Sequence, residues 1–215
     1  MIVPIQVKIC GLADEHAVEA VIAAGADYAG FVYFPASPRH ITFERAAELK
    51  SLLPSSVHSV SVIVDPNDAL LTQVKTVLKP DYVQLHGKET PERVQAIKKI
   101  FPGIKIIKAI SVRSGDDIAQ AVSYEAADML MFDAKPPTNM LPGGNALSFD
   151  WALLKGRQFS KPWFLSGGLN ANNVAEAIRI SGTKMADVSS GVESAPGVKD
   201  AVLIEAFVKA ARYET

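Results

Sequence analysis

Short apolar runs alternate with amphipathic helical stretches along this chain, at a repeat of roughly two dozen residues, the size of one strand–helix unit. Strand-like runs begin near Ile5, Asp27, His58, Asp81, Ile104, Asp128, Lys161 and Met185. A helix between two strands carries the chain back, so that successive strands lie parallel. Eight such units in 215 residues match the lower end of the size range of a closed barrel. The spacing therefore predicts an α/β fold, a single (β/α)8 TIM-barrel domain of eight parallel strands over residues 1–215. An open doubly wound sheet is the competing architecture. The absence of Gly-x-Gly-x-x-Gly after the first strand disfavours it.

Helix boundary signals agree with this rhythm. Asp14 is placed to cap a helix carrying Val18, Val21 and Ile22, which Gly25 stops. Thr42 begins a weaker signal, because Arg45 stands where a capping box has an acid. Thr90 with Pro91 is a stronger start, since proline's missing N–H costs nothing in the first turn. Asn170 is predicted to start the helix with Val174, Ala177 and Ile178. The last helix, near Lys199 to Arg212, is expected to bury Val202, Leu203, Ala206 and Ala210 on one face.

Hydrophobic residues make up 48% of the chain, enough for a sizeable core, and the net charge is −1. A general nucleic-acid binder needs a basic excess, so that class is disfavoured, whereas one small anion needs only local donors. No apolar run approaches the ~20 residues of a membrane helix. Met1-Ile2-Val3-Pro4 lacks the features of a signal peptide. A lone cysteine forms no internal disulfide, so a cytoplasmic location is expected. No Cys/His cluster has metal spacing, and no segment has a dinucleotide fingerprint. Monomer and homodimer both stay open.

Parallel α/β enzymes place their chemistry where strands end and loops begin. The cysteine ends the first strand, Val7-Lys8-Ile9-Cys10-Gly11. Alternation sends Lys8 and Cys10 into the barrel and Val7 and Ile9 toward the helices. Cys10 reads either as a small buried hydrophobe or as a base or nucleophile, with Lys8 close enough to favour the thiolate. Asp133 ends Met129-Leu130-Met131-Phe132-Asp133 and reads as a loop cap or as a site residue. The long stretch from Ala134 to Ser148 follows it, and loops of that length are usually functional. Cys10 and Asp133 facing one pocket make a base and acid pair if the thiol ionises and the carboxyl holds its proton, which requires desolvation to raise the latter's pKa. After the seventh strand comes Ser166-Gly167-Gly168-Leu169, and after the eighth Ser189-Ser190-Gly191-Val192. Such glycines expose backbone N–H groups to an anion, and a short helix after Gly191 is expected to aim its positive end there. Arg39 reads as a solvated loop residue or as a two-pronged partner for a carboxylate. His86, on one side of its strand with Gln84, is kept as structural.

These pieces resemble, in order and spacing, the phosphoribosylanthranilate isomerase family of tryptophan biosynthesis. The carrying segments are Lys8-Ile9-Cys10-Gly11, Gly30-Phe31-Val32-Tyr33 with Ser37-Pro38-Arg39, Gln84-Leu85-His86-Gly87 and Phe132-Asp133. Gly143-Gly144 with Phe149-Asp150-Trp151, Ser166-Gly167-Gly168-Leu169 and the run from Asp187 through Glu193 to Asp200 complete them. The resemblance implies a cofactor-free Amadori rearrangement of N-(5-phosphoribosyl)anthranilate to 1-(2-carboxyphenylamino)-1-deoxyribulose 5-phosphate. It implies Cys10 as general base and Asp133 as general acid. It also implies Arg39 on the anthranilate carboxylate, and Gly167, Gly168, Ser190 and Gly191 on the phosphate. One departure is Gly143-Gly144-Asn145-Ala146, where family members often carry Gly-Gly-Thr-Gly.

Two rivals remain at this stage. A sugar-phosphate epimerase or thiamine phosphate synthase grips phosphate in a similar barrel, but needs metal-binding histidines and acids or a diphosphate site. A non-catalytic anion-binding barrel would have no use for a matched Cys10 and Asp133.

Overall fold

The computed structural model describes residues 4–134 and 148–213. Eight parallel strands close into a barrel in sequence order. They are β1 (Gln6–Cys10), β2 (Tyr28–Tyr33), β3 (His58–Ile63), β4 (Tyr82–Leu85), β5 (Lys105–Val112), β6 (Met129–Ala134), β7 (Trp163–Leu165) and β8 (Met185–Val188). Closure by β1 against β8 leaves no exposed strand edge in the ring. All eight begin within two residues of the positions the alternation predicts.

Alternation along the strands separates two cores. Val7, Ile9, Phe31, Ile63, Ile106 and Phe132 point outward and pack beneath the helices. Cys10, Tyr28, Val60, Tyr82, Ile107, Met131 and Phe164 fill the barrel interior. The interior is thus packed rather than hollow, and in this fold chemistry sits at the carboxyl ends of the strands. At the lower end, aspartates just before β2, β4 and β6 each brace the preceding strand. Asp27 accepts from the Val7 N–H at 2.7 Å, Asp81 from Ser59 at 2.7 Å and Asp128 from Ile106 at 2.6 Å.

The outer layer contains α1 (Glu15–Ala23), α2 (Phe43–Lys50), α3 (Asp68–Gln73), α4 (Pro91–Ile100), α5 (Gly115–Ala119), α6 (Val174–Ser181) and α7 (Ala201–Tyr213). Asp14, Thr42 and Thr90 cap α1, α2 and α4 through their side chains, as their positions predict. Three expectations need correction. Asn170 does not start α6. Its side chain accepts the Asn172 N–H within a preceding turn, and the regular helix begins after Asn173. In α7, Val202 and Leu203 are exposed, while Ile204, Phe207, Val208 and Ala211 are buried with Ala210. The face through Ile204 and Phe207 removes more apolar area from water, so it sets the rotation of the helix. No α-helix starts directly after Gly191. A 3-10 turn spans Ser190–Val192, and a two-stranded hairpin, β9 (Glu193–Ala195) with β10 (Val198–Lys199), leads into α7. Between β6 and β7 the described residues contain one 3-10 turn, Trp151–Leu154. The loop with Gly143-Gly144-Asn145-Ala146 lies outside the described residues. No helix among the described residues is long and apolar enough to cross a membrane.

Candidate active site

A pocket opens at the carboxyl ends of the strands. Cys10, Arg39, Gln84, His86, Asp133 and Asp187 line it, with Val32, Phe34 and Val62 as apolar wall. Cys10 from β1 and Asp133 from β6 therefore meet one cavity from strands separated on the ring by β7 and β8.

Beneath Cys10 lies a buried ion pair. Lys8 and Asp187 are register partners on β1 and β8, and their side chains meet at 2.7 Å. Ser166 Oγ donates to the other Asp187 oxygen at 3.0 Å. Burial pulls the Lys8 pKa down, but Asp187 and Cys10 outweigh it, so Lys8 stays above its ordinary value. Burial pushes the Cys10 thiol up, and Asp187 adds to that rise. Lys8 and Lys199 pull it back only in part, so the net direction is upward. Lys8 thus acts on the thiol in the sense the sequence suggests, but desolvation wins.

The pair makes a stability prediction. Lys8→Met leaves Asp187 as a buried charge with no cation, which costs about 3–5 kcal/mol. Urea denaturation should show a matching drop in the midpoint. A loss below about 1 kcal/mol, the scale of a surface pair, would sink this account.

Asp133 is buried and held at both oxygens. Oδ1 accepts the Ala134 N–H at 3.0 Å, and Oδ2 lies 3.1 Å from His86 Nε2. The other ring nitrogen, Nδ1, is 2.7 Å from Gln84 Nε2. With the Gln84 amide donating, the ring proton sits on Nε2 and is donated to Asp133. Gln84 Oε1 is buried and has no hydrogen-bond partner among the described residues. His86, treated as structural in the sequence, is a direct neighbour of Asp133.

Arg39 reaches the same pocket and is gripped from the side by Glu193, Nε to Oε1 at 2.8 Å and a terminal nitrogen to Oε2 at 2.7 Å. The four candidate phosphate residues are partly exposed and sit in the loops after β7 and β8. They are not among the pocket's lining residues, although their neighbours Ser166 and Ser189 are. Gly167 and Gly168 adopt φ of 92° and 66°, which turn the backbone sharply after β7. Gly191 is required for contact between the loops, because a Cβ there would overlap the Leu169 carbonyl oxygen. Among the described residues, no group of three or more His, Cys, Asp or Glu side chains could hold a metal ion.

The sequence leaves Asp187, Glu193 and Lys199 without individual roles. Period-two alternation from Met185 sends Asp187 inward. What it faces depends on the β1–β8 register, which no local signal carries.

The family model described as N-(5'phosphoribosyl)anthranilate (PRA) isomerase matches residues 7–210. A protein of that name from Paramagnetospirillum magneticum is 55% identical over 211 residues, covering 97% of this chain and 98% of the relative. The crystal structure of phosphoribosyl anthranilate isomerase from Thermotoga maritima superposes with a TM-score of 0.87 at 36% identity, covering 96% of this chain and 98% of that one. A phosphoribosyl anthranilate isomerase in complex with reduced 1-(o-carboxyphenylamino)-1-deoxyribulose 5-phosphate gives a TM-score of 0.82 at 34% identity, with the same coverage.

Proposed function

The chain belongs to the N-(5'-phosphoribosyl)anthranilate isomerase family, and from that premise we propose that Cys10 and Asp133 carry its reaction as base and acid of an Amadori rearrangement. It is an isomerase of tryptophan biosynthesis whose substrate is a small phosphorylated molecule. The observation that supports the assignment is that the thiol and the carboxyl line one pocket from separated strands.

The substrate is N-(5-phosphoribosyl)anthranilate. Its amine nitrogen pushes its lone pair toward C1′, and the bond from C1′ to the ring oxygen breaks. The leaving oxygen takes that electron pair and the proton of Asp133, and an iminium remains. The Cys10 thiolate removes the proton from C2′, the C–H pair forms the C1′–C2′ double bond, and the iminium pair returns to nitrogen. The resulting enolamine tautomerises to the C2′ ketone. The substrate nitrogen serves as the electron sink, so the scheme draws on no cofactor.

His86 and Gln84 fit the acid role. A protonated Asp133 donates to His86 Nε2, which moves the ring proton to Nδ1. Turned end for end, the Gln84 amide then accepts it through Oε1, the atom that otherwise lacks a partner. Arg39 meets the anthranilate carboxylate, and the backbone around Gly167, Gly168, Ser190 and Gly191 meets the phosphate.

The test follows substrate fluorescence as phosphoribosylanthranilate, generated in solution, is mixed with the wild-type protein in excess EDTA. Fluorescence change at an undiminished rate supports a metal-independent isomerase. Absence of turnover by folded protein would bring forward the anion-binding barrel.

A further inference from the structure

The hairpin after β8 forms an arm that reaches the loop carrying Arg39. Glu193 opens it and Lys199 closes it. The Glu193 side chain is 4% exposed, yet it serves two cations. Its two oxygens take the Arg39 guanidinium edge-on at 2.8 and 2.7 Å, and Oε1 also accepts from Lys199 Nζ at 2.6 Å. Lys199 is tied further to the Ser189 carbonyl at 3.0 Å, and Ser189 Oγ donates to the Cys10 carbonyl at 3.0 Å. The Arg39 stem runs over Gly11, where a Cβ would come within 2.7 Å of Arg39 Cδ. The arm also touches the Arg39 loop through Gly197, whose Cβ would lie 2.6 Å from the Pro38 carbonyl oxygen.

These contacts give the Arg39 guanidinium one orientation. A bidentate fork fixes the plane of the group as well as its place. A carboxylate in the pocket then meets a preset cation and need not order a mobile side chain. Burial pushes the Glu193 pKa up, but the Arg39 hydrogen bonds and the Lys199 charge outweigh it, so the net direction is downward and the anion is favoured.

We propose that Glu193 is a positioning residue for substrate recognition, acting through Arg39 to set the pocket's preference for a carboxylate on the aromatic ring. The inference rests on the assignment of Arg39 to that carboxylate made above. It adds a residue from the closing hairpin that touches no substrate itself.

Two stable ligands test it by calorimetry on the full chain. One is 1-(2-carboxyphenylamino)-1-deoxyribitol 5-phosphate, and the other is the same molecule without the ring carboxylate. Wild type should bind the carboxylated ligand more tightly. Glu193→Gln should weaken that ligand by roughly tenfold to a hundredfold, the value of one charged hydrogen-bond set, and leave the carboxylate-free ligand unchanged. Glu193→Asp keeps the charge but is too short to hold both cations. It should show a smaller loss on the carboxylated ligand alone, and it decides the matter should Glu193→Gln not fold. Equal losses on both ligands would make Glu193 a brace of the fold and overturn the proposal, as would full retention of the wild-type preference. A wild type that does not discriminate between the ligands would instead overturn the Arg39 assignment, which separates the two failures.

Discussion

Replacing Cys10 by serine should lower turnover by a factor on the order of 10²–10⁴, the contribution of a positioned general base. The hydroxyl is nearly isosteric, so the pocket keeps its shape, but it is a far weaker acid and gives almost no anion near neutral pH. Binding of the carboxylated ribitol phosphate should persist, because its charged groups are assigned to Arg39 and to the loops after β7 and β8. The pH dependence carries a sign that can be checked. A base must be deprotonated to act, and burial lifts the Cys10 thiol above the ordinary value despite Lys8. The thiolate fraction in the free enzyme therefore keeps growing as pH rises through the range where an exposed thiol has already ionised. Alkylation of this single cysteine by iodoacetamide should follow the same upward-shifted limb, and Lys8→Met should shift it higher still. A serine variant retaining about a tenth of wild-type turnover or more would remove Cys10 as the base, since that loss is below the general-base range.

Asp133→Asn should be of comparable size, about 10²–10⁴ in turnover, for a different step. Asparagine keeps the volume, and its carbonyl can still accept the Ala134 N–H that now reaches Oδ1. Its amide can also meet the His86 ring. It has no proton to give to the departing ring oxygen, so the sugar ring stays closed. Stability should change little, because neither the hydrogen-bonding positions nor the packing is lost. The double variant with Cys10→Ser adds a second check. Residues acting on one reaction path are strongly non-additive, so the pair should be about as slow as the slower single variant. Losses that multiply in full would assign the two residues to unrelated effects.

Much of the scaffold is legible because it follows from local rules. Strand starts coincide with the change from helical to alternating periodicity, and Thr90-Pro91 or Asp14 mark helix starts through contacts a few residues long. The inward direction of Lys8 and Cys10 follows from the pleat alone. The errors fall where local signals compete. In α7 two apolar faces are available, and packing against α1, α6 and β1 selects the one with Ile204 and Phe207. After Gly191 the chain has turn residues that suit a helix start or a hairpin, and contact with the Arg39 loop goes with the hairpin.

The sequence by itself determined the repeat, the barrel it implies, and the placing of Cys10 and Asp133 at the carboxyl ends of their strands. Each of these depends on geometry repeated within a few residues. Tertiary structure alone decided who meets whom there. Lys8 and Asp187 are 179 residues apart, and Arg39 and Glu193 are 154 apart. Such pairs exist only once closure of the ring fixes the register between its first and last strands. The direction of the Cys10 shift was decided there too, because desolvation is a property of the closed barrel and not of any segment of the chain.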